Sequence, residues 1–128
     1  MMVLLLDESE AFIKKAKSKL TSSKALYEIE QYGDSVGRSY YAMFLSAKAL
    51  LIKDGYNVNS HKSLIGIFGR EYVKNGDFDS DIAKYLSGTQ SLRDNADYDA
   101  IDTISKEIAE ERILQAKKFI AEAERLLQ

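Results

Sequence analysis

The segment from Asp34 to Ile52, DSVGRSYYAMFLSAKALLI, limits what this chain can fold into more than any other. Val36, Tyr40, Met43, Ala47 and Leu50 form one apolar seam at helical spacing, and Tyr41, Phe44, Leu45, Leu51 and Ile52 cover much of the remaining circumference. A helix apolar on most sides is buried on most sides, so other helices must surround it. Gly37, Ser39, Ala42, Ser46 and Ala49 are small enough to let those neighbours approach closely. Arg38 falls within the same segment. Burying its guanidinium would be costly without a carboxylate or phosphate partner, so such a partner is expected.

The rest of the chain reads as further helices. An acidic stretch from Asp7 to Glu10 can cap a first helix whose apolar positions are Ile13, Ala16, Leu20 and Tyr27, ending near Gln31. Tyr32-Gly33 breaks it, and Asp34 or Ser35 can cap the second helix, which runs to about Asp54. Gly55 to Asn59 has loop composition, and Ser60 can cap a shorter third helix with His61, Ile65, Phe68 and Tyr72 on one side. Asn75-Gly76-Asp77 signals a turn. Ile82, Leu86, Thr89, Leu92 and Ala96 trace a fourth helix that frays near Tyr98-Asp99. Ala109, Ile113, Ala116, Ile120, Ala123 and Leu127 trace the last. With no proline and no strand-like alternation, the expected fold is all-α. It is an antiparallel bundle of four main helices plus one shorter helix, in a single domain over residues 1–128.

Composition removes whole classes of chemistry. There is no cysteine and a single histidine, which excludes disulfides and zinc-thiolate sites and leaves too few ligands for a zinc hydrolase or a di-iron bundle. No phosphate-cradling or dinucleotide-binding glycine motif is present, so no metal and no cofactor is expected. The apolar start, Met1 to Leu6, is too short to span a bilayer and lacks signal-peptide features, which makes a cytoplasmic protein with no membrane association the expectation. A net charge of −2 gives no global footprint for DNA or RNA, so phosphate contacts must be local. Lys14, Lys15, Lys17, Lys19 and Lys24 make the densest basic run, which reads first as a solvated helix face rather than a phosphate-binding stripe.

Two local clusters could carry chemistry. Arg93 and Asp97 stand four apart on a helix, the spacing of an ordinary surface ion pair, yet an arginine at a helix end beside Tyr98 can also present a fork of donors to a phosphate. Ser60-His61-Lys62 places a hydroxyl, an imidazole and an ammonium at a helix N-terminus, which suits an anion, although a lone histidine sharing a face with apolar residues commonly belongs to the packing. Tyr40 and Tyr41 point to different sides of their helix, one toward the core and the other toward a neighbouring helix or a second subunit. Arg38 could pair with Asp94, Asp97 or a ligand.

Three stretches in order, Arg38-Ser39-Tyr40-Tyr41-Ala42-Met43-Phe44, Ser60-His61-Lys62 and Arg93-Asp94-Asn95-Ala96-Asp97-Tyr98, resemble the signatures of a small prokaryotic subgroup of HEPN domains. The likeness covers the chain from about Glu10 to Leu127. It implies an all-helical homodimer, often encoded beside a minimal nucleotidyltransferase in a toxin–antitoxin-type pair. It also implies nucleotide or RNA phosphate binding near Arg93, with Arg38, Tyr41, Ser60, His61, Lys62 and Tyr98 as further binding candidates. Many HEPN domains are metal-independent ribonucleases in which an arginine and a histidine shortly after it meet their symmetry mates across the dimer. Arg93 fits the arginine. Tyr98, Asp99 and Ala100 occupy the histidine's place, with Asp97 just before them. Histidine supplies an acid and a base near neutral pH without adjustment, whereas Arg93 would hold Asp97 ionised and make it a weak base. The missing histidine therefore favours a binding module over an endoribonuclease toxin using Arg93 with His61 or Asp97. A purely structural helical dimer is the third reading.

Overall fold

The computed structural model describes residues 2–98 and 103–128. Five α-helices follow one another: α1 Met2–Glu28, α2 Tyr32–Lys53, α3 His61–Phe68, α4 Ser80–Tyr98 and α5 Lys106–Leu127, with a π-helical turn Gly69–Val73 between α3 and α4. No strand occurs among the described residues. The apolar segment is the hub, since α2 packs against every other helix. Tyr40, Ala42, Met43, Leu45, Ala47, Ala49, Leu50 and Leu51 are all buried. Lys17 reaches Glu124 at 2.8 Å and Tyr27 reaches Glu110 at 3.4 Å, so α5 runs antiparallel to α1. Lys53 Nζ donates to the Leu126 carbonyl at 2.9 Å, while Val36 clusters with Ala109 at the other end, so α5 runs parallel to α2. The bundle is thus antiparallel between α1 and α2 and between α1 and α5, but not throughout.

Two helix boundaries differ from the sequence expectation. Helix α1 begins at Met2, ahead of the acidic stretch, and Ser9 is a buried residue whose hydroxyl lies 2.9 Å from both the Leu5 and the Ala49 carbonyls. The first break comes at Glu30, not at Tyr32-Gly33. Glu30 has a left-handed φ of 64°, and the Gln31 and Glu30 amides donate to the Leu26 and Tyr27 carbonyls at 2.8 and 3.0 Å. That pairing closes a helix C-terminus by satisfying its last carbonyls, normally around a glycine. Helix α2 then starts at Tyr32, and Ser35 faces α1 instead of capping it.

Small polar residues line the α1–α2 contact. The Ser23 hydroxyl lies 2.7 Å from the Ser39 hydroxyl and 2.7 Å from the Ser35 carbonyl, and Ser35 donates back to the Ser23 carbonyl at 2.8 Å. All three serines are fully buried. Their size lets the helices close up, and mutual bonding offsets their desolvation. Ser23→Ala strips the buried Ser39 hydroxyl of its partner, so chemical denaturation is expected to show a loss of about 1–3 kcal/mol.

The far end of the core is aromatic. Phe119 is fully buried between Phe68 and Phe78, with ring centroids 5.8 and 4.8 Å away, and Tyr72 stacks on Phe68. The Tyr72 hydroxyl donates to the Leu50 carbonyl at 2.7 Å and contacts Asp54, tying the π-helical turn to the end of α2. Asp79 accepts from the Asp81 and Ile82 amides at 2.9 and 3.0 Å and so caps α4. These contacts hold the end of α3 and the start of α4 against α2 and α5.

Candidate functional site

One stripe of α2 faces a cleft of about 630 Å³: Gly33, Gly37 and Tyr41 at successive turns, with Asp34 and Arg38 beside them. Leu26 of α1, His61 at the head of α3 and Arg93 near the end of α4 complete the lining. Arg93 Nε passes over Gly37, 3.8 Å from where a Cβ would stand there, which is an ordinary contact distance.

Arg38 corrects the sequence reading. It is exposed, because residues 34, 38 and 41 fall on the cleft side of α2 and not on the core side. It has no ion-pair partner among the described residues. The same holds for Arg93, which is half-buried and carries its guanidinium 5.3 Å above the Tyr40 ring. The side chains of Asp97 and Tyr98, and all of Asp99 and Ala100, lie outside the described residues.

The two tyrosines do divide as expected. Tyr40 is fully buried, and Tyr41 is half-buried on the cleft wall, stacked on Phe44 at 5.9 Å. Burial raises the Tyr40 hydroxyl above the usual phenol range and outweighs the opposing pull of the Arg93 guanidinium, with Asp94 adding to the rise. Tyr40 is therefore a neutral hydrogen-bonding hydroxyl at physiological pH. That hydroxyl lies 3.0 Å from His61 Nδ1, while the imidazole stacks on Phe44 with centroids 4.0 Å apart. His61 is thus both packed and presented: hydrogen-bonded to the core, yet exposed and lining the cleft.

Of the other candidates, Ser60 caps α3. Its hydroxyl accepts from the Ser63 amide at 3.1 Å and donates to the Ser63 hydroxyl at 2.9 Å. Ser60 and Lys62 are exposed and are not among the lining residues. The lysine run of α1 is mainly a solvated face, with Lys14, Lys15, Lys17 and Lys24 exposed and Lys17 paired to Glu124. Lys19 departs from it, its ammonium lying 5.9 Å from the centre of the Tyr41 ring. Sequence reasoning missed Asp34 as a lining residue, and missed the Tyr40–His61 bond altogether. The turn-by-turn repeat of Gly33, Gly37 and Tyr41 was the available signal for the first. Nothing local signals the second, since the partners are 21 positions apart.

Chemically, among the described residues the cleft brings two arginines without carboxylate partners and one imidazole against a single lining carboxylate, Asp34. Guanidinium forks and an imidazole N–H suit phosphate oxygens. Among the described residues no group of three or more histidines or carboxylates could hold a metal ion, and no helix is long and apolar enough to cross a membrane.

The HEPN domain profile matches residues 9–126, nearly the whole chain. The chain belongs to the HEPN domain family. Two relatives from Methanocaldococcus jannaschii, named "Putative toxin" MJ0142 and MJ0605, are each 34% identical to it. The first match covers 94% of this chain and 82% of the relative, the second 95% and 90%. A UPF0332 protein of Thermotoga maritima is 28% identical over 93% of this chain and 90% of its own length. The three stretches that suggested this HEPN domain in the sequence supply Arg38, Tyr41, His61 and Arg93, half of the cleft lining.

Proposed function

We propose that this HEPN domain is a phosphate-binding helical module of a toxin–antitoxin-type system. It holds a nucleotide or an RNA phosphate between Arg93, Arg38 and His61, and works as a homodimer beside a minimal nucleotidyltransferase. The observation that carries the reading is the convergence of Arg38, Arg93 and His61 on one cleft, with neither arginine neutralised by a carboxylate among the described residues. Family membership and the toxin names of two relatives support the setting. The nucleotidyltransferase and the dimer rest on the family resemblance and are tested by co-purification and by the molar mass in solution.

The single histidine provides the binding test. Titration with adenosine 5′-monophosphate or a short single-stranded RNA is expected to move the one imidazole resonance. An imidazole signal unmoved at saturating RNA would contradict the reading.

A second reading, a metal-independent endoribonuclease, is favoured by the Tyr40 bond to His61 Nδ1. In this reading Nδ1–H donates to the Tyr40 hydroxyl, which leaves Nε2 unprotonated in the same cleft as Arg93. Nε2 is then able to take the proton of a 2′-hydroxyl as that oxygen attacks the adjacent phosphorus and the 5′-oxygen leaves, taking a proton from water. Cleavage of RNA in EDTA that disappears in His61→Ala would establish this reading. Cleavage retained in that variant would remove His61 from it.

A further inference from the structure

Tyr40 touches both of the donors that enter the cleft from α3 and α4. Its hydroxyl lies 3.0 Å from His61 Nδ1, and its ring carries the Arg93 guanidinium at 5.3 Å. Among the described residues the His61 side chain makes no other hydrogen bond, and the Arg93 side chain makes neither a hydrogen bond nor an ion pair. Phe44, one turn further along α2, closes one face of the imidazole at 4.0 Å. Both aromatic residues sit on α2, the helix that every other helix packs against.

We infer that Tyr40 is the positioning residue of the cleft: it donates its hydroxyl to His61 Nδ1 and carries Arg93 on its ring face, aiming two donors at one anion. The inference rests on reading the cleft as a phosphate site. A neutral imidazole has one donor nitrogen and one acceptor nitrogen. A hydroxyl that donates to Nδ1 leaves the ring proton on Nε2, the nitrogen not engaged by Tyr40. A phosphate oxygen can then accept from Nε2–H without the ring first reorienting, which is the advantage of a pre-set site. Arg93 gains in a different way. The electron-rich ring face attracts its guanidinium without using its N–H groups, which can still donate in the guanidinium plane. The adjacent tyrosines therefore have separate tasks, Tyr40 supporting from beneath and Tyr41 forming wall.

The lone histidine makes the inference directly readable. Long-range proton–nitrogen correlation at about pH 8, where an ordinary imidazole is neutral, is expected to show the Nε2–H tautomer in the wild type. Tyr40→Phe keeps the ring and should return His61 to a mixture of tautomers with far-UV helicity unchanged. The same variant should weaken binding of a fluorescein-labelled single-stranded RNA by about threefold to tenfold, the equivalent of one hydrogen bond. In a His61→Ala background Tyr40→Phe should have no further effect, because the hydroxyl acts through the imidazole. An Nδ1–H tautomer in the wild type, or equal losses in both backgrounds, would overturn the inference. RNA that fails to bind the wild type would overturn the phosphate-site reading instead, and the wild-type tautomer would still decide the Tyr40 geometry without any variant.

Discussion

Phe119→Ala is expected to cost about 3–5 kcal/mol of stability and to lower the melting temperature by roughly 10–20 °C. Phe119 is fully buried, and its ring meets Phe78 at 4.8 Å and Phe68 at 5.8 Å. Phe68 and Phe78 also meet each other edge to face at 4.9 Å, so the three rings support one another. Truncation removes the middle of that set, and the backbone of three separate elements would have to move to close the gap. None of these rings lines the cleft. The fraction of the variant still folded at low temperature should therefore bind RNA like the wild type. Circular dichroism melts with a two-state fit provide the check. A loss below about 1 kcal/mol would mean that this end of the bundle is not closed as described.

Arg93→Ala should produce the opposite pattern. Charge-assisted hydrogen bonds to a phosphate contribute about 1.5–3 kcal/mol, so the variant should bind single-stranded RNA roughly tenfold to a hundredfold more weakly. Stability should fall by about 1 kcal/mol or less, since the guanidinium supports the fold mainly by resting on the Tyr40 ring. No described carboxylate is left unpaired by the change. Arg93→Lys should recover only part of the affinity, because an ammonium keeps the charge but not the planar fork. A melting-temperature drop as large as that of Phe119→Ala would instead mark Arg93 as a structural residue.

The helical periodicities of α4 and α5 were legible because a single buried face leaves a simple repeat. Leu86 and Thr89, and Ala109, Ile113, Ala116, Ile120 and Ala123, are buried as their spacing predicts. The Ser60 cap was legible for a similar reason, since the bond to the Ser63 amide spans three residues and depends on local chemistry alone. The turn at Glu30 was not. A left-handed glutamate is uncommon, and Gly33 nearby offered the more familiar break.

The position of Arg38 failed for a different reason. A helix nearly apolar all round gives no polar face to orient it, so an arginine on its narrow exposed strip looks buried from the sequence. The association of Arg38, His61 and Arg93 was suggested by resemblance alone, because they belong to three helices and only packing brings them together. Tyr40 supports His61 through a contact that neither periodicity nor motif spacing encodes.

The most direct test of the account is equilibrium binding of a fluorescent single-stranded RNA to wild type and Arg93→Ala side by side. It should be run in EDTA, at salt between about 50 and 200 mM, after matched helicity has been confirmed. The account predicts wild-type binding that weakens as salt rises, and at least about tenfold weaker binding with a shallower salt dependence in the variant. Equal affinities for the two proteins, or no wild-type binding even at low salt, would contradict the cleft as a phosphate site.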